Sequence, residues 1–175
     1  MEEMIDVYNK QTGEKTGEVI SKKEAHKKGI WHSSIHLLIV NNDKTKTLLQ
    51  KRCEDKDLYP NTWDIAVGGH ISSNEDHYET VKREFNEELG LKPDNYEFNY
   101  LTKTKEILLN NGVDSKEFVF VYIIYSDIDI NDITIQKEEV SEVKWCTKDE
   151  LNELINKKQI IPHEEEFKIL NEILH

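Results

Sequence analysis

Three glutamates on one face of a predicted helix constrain this chain more than any other feature. Glu84, Glu87 and Glu88 are spaced i, i+3 and i+4, so an α-helix places their carboxylates on the same side. Like charges at this spacing repel by about a few tenths of a kcal/mol per pair. A divalent cation would offset the repulsion, and Mg²⁺ prefers oxygen ligands. The pattern predicts a metal site; the other interpretation is a solvated acidic face paired with lysines.

A capped helix carries these acids. It is predicted from Asp76 to Leu89, and Gly90 follows at the position where a residue in the left-handed conformation commonly ends a helix. Its apolar residues recur every four positions, which predicts that this stripe packs on the core. The residues of the stripe are Val81, Phe85 and Leu89.

Segments rich in apolar and β-branched residues predict strands on both sides of this helix. Two hairpins are expected, one between residues 32–41 and 47–52 and one between residues 96–109 and 117–125. The remaining predicted strands cover residues 4–8, 18–20, 63–67 and 140–145.

Helices are also predicted after the capping boxes that begin at Ser21 and Thr147, and again at residues 163–174. This order of elements predicts an α/β fold in which a mixed sheet is sandwiched between helices. The length of 175 residues predicts one domain. It would have an N-terminal hairpin at about residues 1–30 and C-terminal helices at about residues 147–174.

Charge and cysteine usage limit the partners of this chain. The formal net charge of −12 argues against a nucleic-acid polymer or a membrane surface as partner. Cys53 and Cys146 lie far apart in no paired motif, which indicates a reducing, cytoplasmic setting. The N-terminus lacks the pattern of a signal peptide, and no apolar run approaches the ~18 residues of a membrane span.

Residues 69–91 resemble the Nudix box, G-x5-E-x7-R-E-U-x-E-E-x-G-U, where U is a bulky apolar residue. Leu91 fits the last of these apolar positions, and Phe85 stands where an aliphatic residue is usual. The resemblance implies a Nudix-type αβα sandwich and hydrolysis of a nucleoside diphosphate linked to another moiety, or of a related diphosphate. Every fixed position of the box matches: Gly69, Glu75, Arg83, Glu84, Glu87, Glu88 and Gly90.

A wider resemblance, over roughly residues 4–155, is to the isopentenyl-diphosphate isomerase branch of the Nudix superfamily. The isomerases have a catalytic cysteine just before a glycine-histidine pair, where this chain has Gly68, and their box is degenerate. Both differences favour hydrolysis. The alternatives are an isomerase-like enzyme and a non-catalytic nucleotide-binding module. The resemblance rests on Trp31-His32, Gln50-Lys51-Arg52, Lys56, Tyr59-Pro60, Trp63, Gly69-His70, Glu139-Val140 and Lys144-Trp145-Cys146.

The Nudix resemblance implies roles for the acids. Glu84, Glu87 and Glu88, with the carbonyl of Gly68, would bind Mg²⁺ or Mn²⁺. The catalytic base would be Glu84, another of these acids or a later acid. Relatives often place a further acid near the strand at residues 140–145, so Glu139 is a candidate, followed by Glu142; the other interpretation is solvated charge at a sheet edge.

The other box residues would support these acids. Arg83 offers paired donors and keeps its charge, so it can orient a carboxylate; it also lies i, i+4 from both Glu79 and Glu87 and could form a salt bridge with either. Glu75 is either a helix-start acid, favoured by the helix dipole, or a ligand of the metal or of Arg83. Gly69 would allow the backbone geometry of a loop, and Gly90 would end the helix.

A phosphate-bearing substrate needs cations that an acidic chain must supply locally. Lys51, Arg52 and Lys56 form a basic cluster in a region that the isomerase branch uses to hold diphosphate, although they are also ordinary surface charges beside acids. His32 and His70 align with metal-binding histidines of that branch, and a hydrogen-bonded role near the phosphates is the alternative.

The remaining aromatic and histidine residues carry less specific expectations. Trp31, Tyr59 and Trp63 would stack on a base or pack in the core. The expected partner is a small-molecule diphosphate, and a homodimer is common in the superfamily. His36 shares a strand face with His32 but has no further metal ligand between them, and the histidines expected at the surface are His26, His77, His163 and His175.

Overall fold

In the computed structural model, which describes residues 1–175, strands and helices follow one another as predicted for an α/β protein. No helix has the length and apolar content that crossing a bilayer requires. The strands are β1 (Met4–Tyr8), β2 (Lys15–Ser21), β3 (Trp31–Val40), β4 (Lys46–Arg52), β5 (Trp63–Ile65), β6 (Val67–His70), β7 (Asn99–Asn110), β8 (Val113–Tyr125) and β9 (Val140–Thr147). The helices are α1 (Lys22–Lys28), α2 (His77–Leu89), α3 (Lys148–Asn156) and α4 (Glu164–Ile173).

Seven strands form the central sheet, and β1 pairs with β2 in a separate two-stranded sheet. The order in the central sheet is β5-β4-β3-β8-β7, with β6 also paired to β3 and β9 also paired to β4. Strands β3 and β8 run parallel, whereas the other pairs are antiparallel. The sheet is therefore mixed, which confirms the predicted fold class.

Strands β3 and β4 meet only beside the turn that joins them, where Val40 aligns with Thr47. Farther along, β3 pairs with β6 over residues 34–37 and β4 pairs with β5 over residues 49–51. The predicted β3–β4 hairpin is therefore wrong beyond its first pair, because residues 63–70 pair with both strands in turn. The same pairings divide the single strand predicted for this segment into β5 and β6.

Alternating side chains of the sheet bury two apolar cores, one on each face. On one face, the odd-numbered apolar residues of β3 pack with the predicted apolar stripe of α2, which is fully buried. On the other face, Leu38 and Val40 pack with Leu151 and Leu154 of α3 and with Leu170 of α4. Helices therefore cover both faces of the sheet, as an αβα sandwich requires.

The predicted caps define the helix ends. The Asp76 side chain accepts a hydrogen bond from the Glu79 N–H at 2.8 Å, and Gly90 ends α2 in the left-handed conformation with φ 67°. At α3, the Thr147 hydroxyl and the Glu150 carboxylate each accept from the other residue's backbone N–H, which completes the predicted capping box. The caps of α2 therefore set the first and last residues of the helix that carries the box acids.

Candidate active site

A polar cleft of about 540 Å³ lies where β3 and β4 have diverged, with walls from these strands, β6 and α2. The structure brings most of the predicted site residues together there, but Lys51, His32, Glu75 and Gly90 do not line it. The predicted residues that do are Arg52, Lys56, Gly68, Gly69, His70, Arg83, Glu84, Glu87, Glu88 and Glu139.

Glu84 occupies space that is free only because residue 69 has no side chain. A β-carbon on Gly69 would overlap the Glu84 carboxyl group. Gly69 lies in strand β6 and does not have a positive φ, so the predicted role in loop geometry is wrong; its role is clearance. Burial raises the pKa of Glu84 to about 7, with Glu87 adding to the rise and Arg83 opposing it.

The Arg83 guanidinium joins three acids of the box. Its Nε and Nη2 donate to the two carboxylate oxygens of Glu75 at 2.9 and 3.0 Å. Its Nη1 donates to Glu84 at 2.9 Å and to Glu87 at 3.1 Å. Of the two salt bridges considered from the sequence, the one with Glu87 is present, whereas Glu79 pairs with a neighbouring lysine. Arg83 thereby holds Glu84 and Glu87 together despite their like charges.

Glu88 is the most deeply buried of the three helix acids, with 4% of its surface exposed. Gln50 Nε2 donates to one Glu88 oxygen at 2.8 Å and to the Ala66 carbonyl at 2.9 Å. Burial raises the pKa of Glu88 well above its usual range, and the Glu84 carboxylate adds to the rise. Gln50 belongs to the wider resemblance but was not predicted as a site residue, because an uncharged amide in a strand gives no signal by itself.

Two of the three predicted phosphate-binding cations line the cleft, and both already have partners there. Lys56 pairs with Glu139, the predicted later acid. Arg52 Nη1 lies 3.6 Å from Asp64, and its Nε donates to a loop carbonyl at 2.8 Å. Lys51 lies outside the cleft, with its ammonium 6.0 Å from the centre of a tryptophan ring. Of the three, only Arg52 and Lys56 therefore present their side chains to the cleft.

We name His26, His32, His70 and Glu117 the first histidine cluster, whose ligating atoms lie within 4.8 Å of one another. His70 Nε2 is 3.0 Å from Glu117 Oε1 and 3.2 Å from His26 Nε2. His32 aligns with Glu117 across β3 and β8; its buried Nε2 lies 3.3 Å from the same oxygen and forms no hydrogen bond. Imidazole and carboxylate in this arrangement could hold a transition-metal ion.

The prediction that His26 and His163 lie at the surface is wrong. His26 is partly buried against His70, and His163 is only 3% exposed. His77, also expected at the surface, is partly buried and shares a 2.6 Å hydrogen bond with Tyr122 Oη. These histidines meet partners far away in the sequence; His163, for example, contacts Asp64 across 99 residues. Local polarity therefore gave no signal of their burial.

Aromatic and cysteine residues lie outside the cleft. No phenylalanine, tyrosine or tryptophan lines it. Trp31 packs against Phe118 with ring centres 5.1 Å apart, and the Lys144 ammonium lies 4.1 Å from the centre of the Trp63 ring. Cys53 and Cys146 are buried away from the cleft, so neither presents a thiol to it.

The cleft can therefore combine charge neutralisation with proton transfer. Acids from α2 offer oxygen ligands, and Glu84 has a pKa matched to accepting a proton near neutral pH. Neither group of three or more clustered metal-ligating side chains includes a box glutamate. In this structure Arg83 and Gln50 donate hydrogen bonds to those carboxylates. Cation binding at the box would thus compete with these hydrogen bonds.

Comparison with known proteins shows what this chain is similar to. A model of the NUDIX domain family matches residues 31–167. Nudix hydrolase 3 of Arabidopsis thaliana is 37% identical over 160 residues, which are 89% of this chain but 21% of that protein, so the chain spans a minor part of this relative. An uncharacterized Nudix hydrolase of Clostridium acetobutylicum is 35% identical over 164 residues, 90% of this chain and 76% of that protein.

Two further comparisons bear on the branch and the fold. An isopentenyl-diphosphate Delta-isomerase of Pectobacterium atrosepticum is 30% identical over 154 residues, 86% of this chain and 78% of that protein, which confirms the wider resemblance. The crystal structure of DR0079 from Deinococcus radiodurans has a TM-score of 0.75 at 20% identity. It covers 99% of this chain and 100% of that one, and it shows the same fold.

Proposed function

Because this chain belongs to the Nudix hydrolase family, we propose that it is a divalent-metal-dependent pyrophosphohydrolase. Its substrate would be a nucleoside diphosphate linked to another moiety, or a related diphosphate. One observation carries the proposal: a complete box places Glu84, Glu87 and Glu88 on the wall of a cleft that also holds Arg52 and Lys56. Acids for a metal and cations for a phosphate thus line the same cleft.

The acids suit Mg²⁺ or Mn²⁺ because every offered atom is an oxygen. Glu88 supports this assignment in a second way. It is buried beside the Glu84 carboxylate, and its side-chain partner, Gln50, is an uncharged amide. Glu84, Glu87, Glu88 and the Gly68 carbonyl would hold the ion. When bound, it would neutralise charge on the diphosphate and make the attacking water more acidic.

The chain's own side chains would then orient the reacting groups and remove a proton from the attacking water. Glu84, largely buried with a pKa of about 7, would accept the proton of the attacking water. Arg83 would keep Glu84 and Glu87 oriented without exchanging a proton, because guanidinium stays charged. Arg52 and Lys56 would exchange their carboxylate partners for phosphate oxygens. The later acid, Glu139, would be released from Lys56 in that exchange and is the second candidate for the base.

A substrate panel with matched variants tests the proposal. The wild type with Mg²⁺ should release a phosphorylated product from at least one nucleoside diphosphate derivative or sugar diphosphate. Glu87→Gln and Glu88→Gln should each remove most of that activity. Glu79→Gln is the control, because Glu79 is an exposed acid on the same helix. Near-wild-type turnover in both test variants would rule out the metal assignment.

The alternatives predict different outcomes when isopentenyl diphosphate is included in the panel. An isomerase-like enzyme would convert isopentenyl diphosphate without releasing phosphate. The structure disfavours this reaction, since Gly68 replaces the isomerase cysteine and both thiols of the chain lie buried outside the cleft. Burial also raises the pKa of Cys146 to about 11. A binding module would bind one member tightly and turn over none.

A further inference from the structure

A second group of buried histidines and acids lies beside the cleft. We name His36, Glu106, His163 and Glu166 the second histidine cluster; their ligating atoms lie within 4.8 Å of one another. They come from β3, β7, the residue before α4 and α4 itself. Each side chain is 13% exposed or less. None belongs to the box, and the proposed hydrolysis does not use them.

The ligating atoms of the cluster lie close enough together to surround one small cation. His36 Nδ1 lies 2.5 Å from Glu166, His163 Nδ1 lies 2.5 Å from Glu106, and His36 Nε2 lies 3.8 Å from Glu106. A tetrahedral ion at about 2.0–2.2 Å from each ligand separates the ligands by roughly 3.4 Å. Two contacts are shorter than that value and one is longer, so a bound ion would have to separate each histidine from its paired carboxylate.

The charges of this region can be balanced in two ways. Glu106, Glu166 and the adjoining Asp64 carry three negative charges, and Arg52 beside Asp64 carries one positive charge. The two remaining positive charges can come from protons on His36 and His163. A divalent ion held by two neutral imidazoles supplies the same total. Exchange of two protons for one ion therefore leaves the buried charge unchanged.

The surroundings of His163 are those of a metal ligand with an outer partner. Its Nε2 lies 2.8 Å from Asp64 Oδ1, while its Nδ1 faces into the cluster. Metal-binding histidines nearly always donate their other ring N–H to a carboxylate or carbonyl, which sets the tautomer and ring orientation. Asp64 is itself held by the Ile65 N–H at 2.7 Å. His36 and His163 both line the cleft, which gives an ion a path to the cluster.

From this geometry we infer that the second histidine cluster is a binding site for a first-row transition ion of the Zn²⁺ type, separate from the box. Two imidazoles and two carboxylates suit Zn²⁺ better than Mg²⁺. With four protein ligands the site is closed, which is the pattern of a structural ion rather than a catalytic one. The ion would tie α4 and the residue before it to β3 and β7.

Anomalous diffraction at the zinc edge tests the inference on the unaltered protein. Crystals would be freed of metal with a chelator and then equilibrated with Zn²⁺ and excess Mg²⁺, which competes for the all-oxygen box. A peak bounded by His36, Glu106, His163 and Glu166 is expected. Zinc peaks only at the first histidine cluster or the box, or none at saturation, would overturn the inference.

Zinc stoichiometry in solution gives a second test. It starts from His70→Gln, which disrupts the first histidine cluster. Adding Glu166→Gln should remove one bound Zn²⁺ per chain, whereas adding Glu165→Gln should remove none. Glu165 is the matched control because it precedes Glu166 in α4 and is exposed. Equal stoichiometry in the two double variants would contradict the inference.

Asp64→Asn keeps the test informative if a ligand variant fails to fold. This change leaves all four proposed ligands in place and removes only the outer carboxylate of His163. Loss of such a partner typically weakens metal binding by about 10- to 100-fold. The same loss in zinc affinity is expected in the His70→Gln background. Unchanged affinity there would show that zinc binds elsewhere.

Discussion

Gly69 and Glu84 are sterically complementary, since the Glu84 carboxyl group fills the space that a β-carbon on residue 69 would need. The neighbouring Gly68 differs, because a β-carbon there would come no closer than 3.6 Å to any other group. Of these two adjacent glycines in β6, only Gly69 is sterically required. A side chain there would displace Glu84, the proposed catalytic base.

Gly69→Ala should therefore impair turnover more than folding. The overlapping atoms are the far end of a flexible side chain, so Glu84 would swing away and the backbone would stay in place. Misplacing a reacting group by about 1 Å can cost on the order of 100-fold in rate. We expect kcat to fall about 10- to 100-fold, with the free energy of unfolding changed by less than about 1 kcal/mol. Gly68→Ala is the matched control and should lose much less activity; equal losses would contradict the clearance role.

Glu84 should titrate near neutral pH in the metal-free protein. Because its pKa is raised to about 7, the carboxyl is largely neutral below that pH and ionised above it. Adding Mg²⁺ should lower the midpoint, since a nearby cation favours the ionised form. Activity that uses Glu84 as a base requires Mg²⁺, so it should rise with pH around this lower midpoint. Carbon-13 NMR of the Glu84 carboxyl would measure both values, and a midpoint near 4.5 without metal would contradict the prediction.

Arg83→Lys should lose activity although it preserves charge. A single ammonium cannot reproduce two parallel bonds to Glu75 together with bonds to Glu84 and Glu87. We expect kcat to fall by at least about 10-fold with the fold retained. Steady-state kinetics beside circular dichroism would measure this. The adjacent Lys82→Gln serves as control, and an Arg83→Lys enzyme as active as that control would show that the paired geometry is unimportant.

Gln50→Leu should destabilise the protein through Glu88. The change removes the hydrogen bond to a buried carboxylate and leaves it unpaired. An unsatisfied buried polar group costs about 1–3 kcal/mol. Urea unfolding should show a loss in that range. The double variant Gln50→Leu/Glu88→Leu should recover part of the lost stability, because both partners become apolar. A double variant whose loss in free energy of unfolding equals or exceeds the sum of the two single losses would count against a direct pairing.

Local sequence patterns predicted α2 well because its signals lie within one segment. The four-residue apolar spacing, the Asp76 cap and Gly90 all act over one or two helical turns, and each is present in the structure. The β3–β4 hairpin was mispredicted because strand propensity does not say which strand is the partner. Residues 63–70 compete for both strands and separate them, and this competition is visible only once the chain is folded.

By itself, the sequence determined the box, the helix that carries it and the acidic face that favours a cation. Only the tertiary structure decided which residues surround that face. Gln50 reaches Glu88 across 38 residues, and His36 reaches Glu166 across 130. Helical and strand periodicities predict the face on which a side chain lies, but not which distant element meets it. Packing of the sheet and its two helical layers therefore decided the partner of Glu88 and the membership of both histidine clusters.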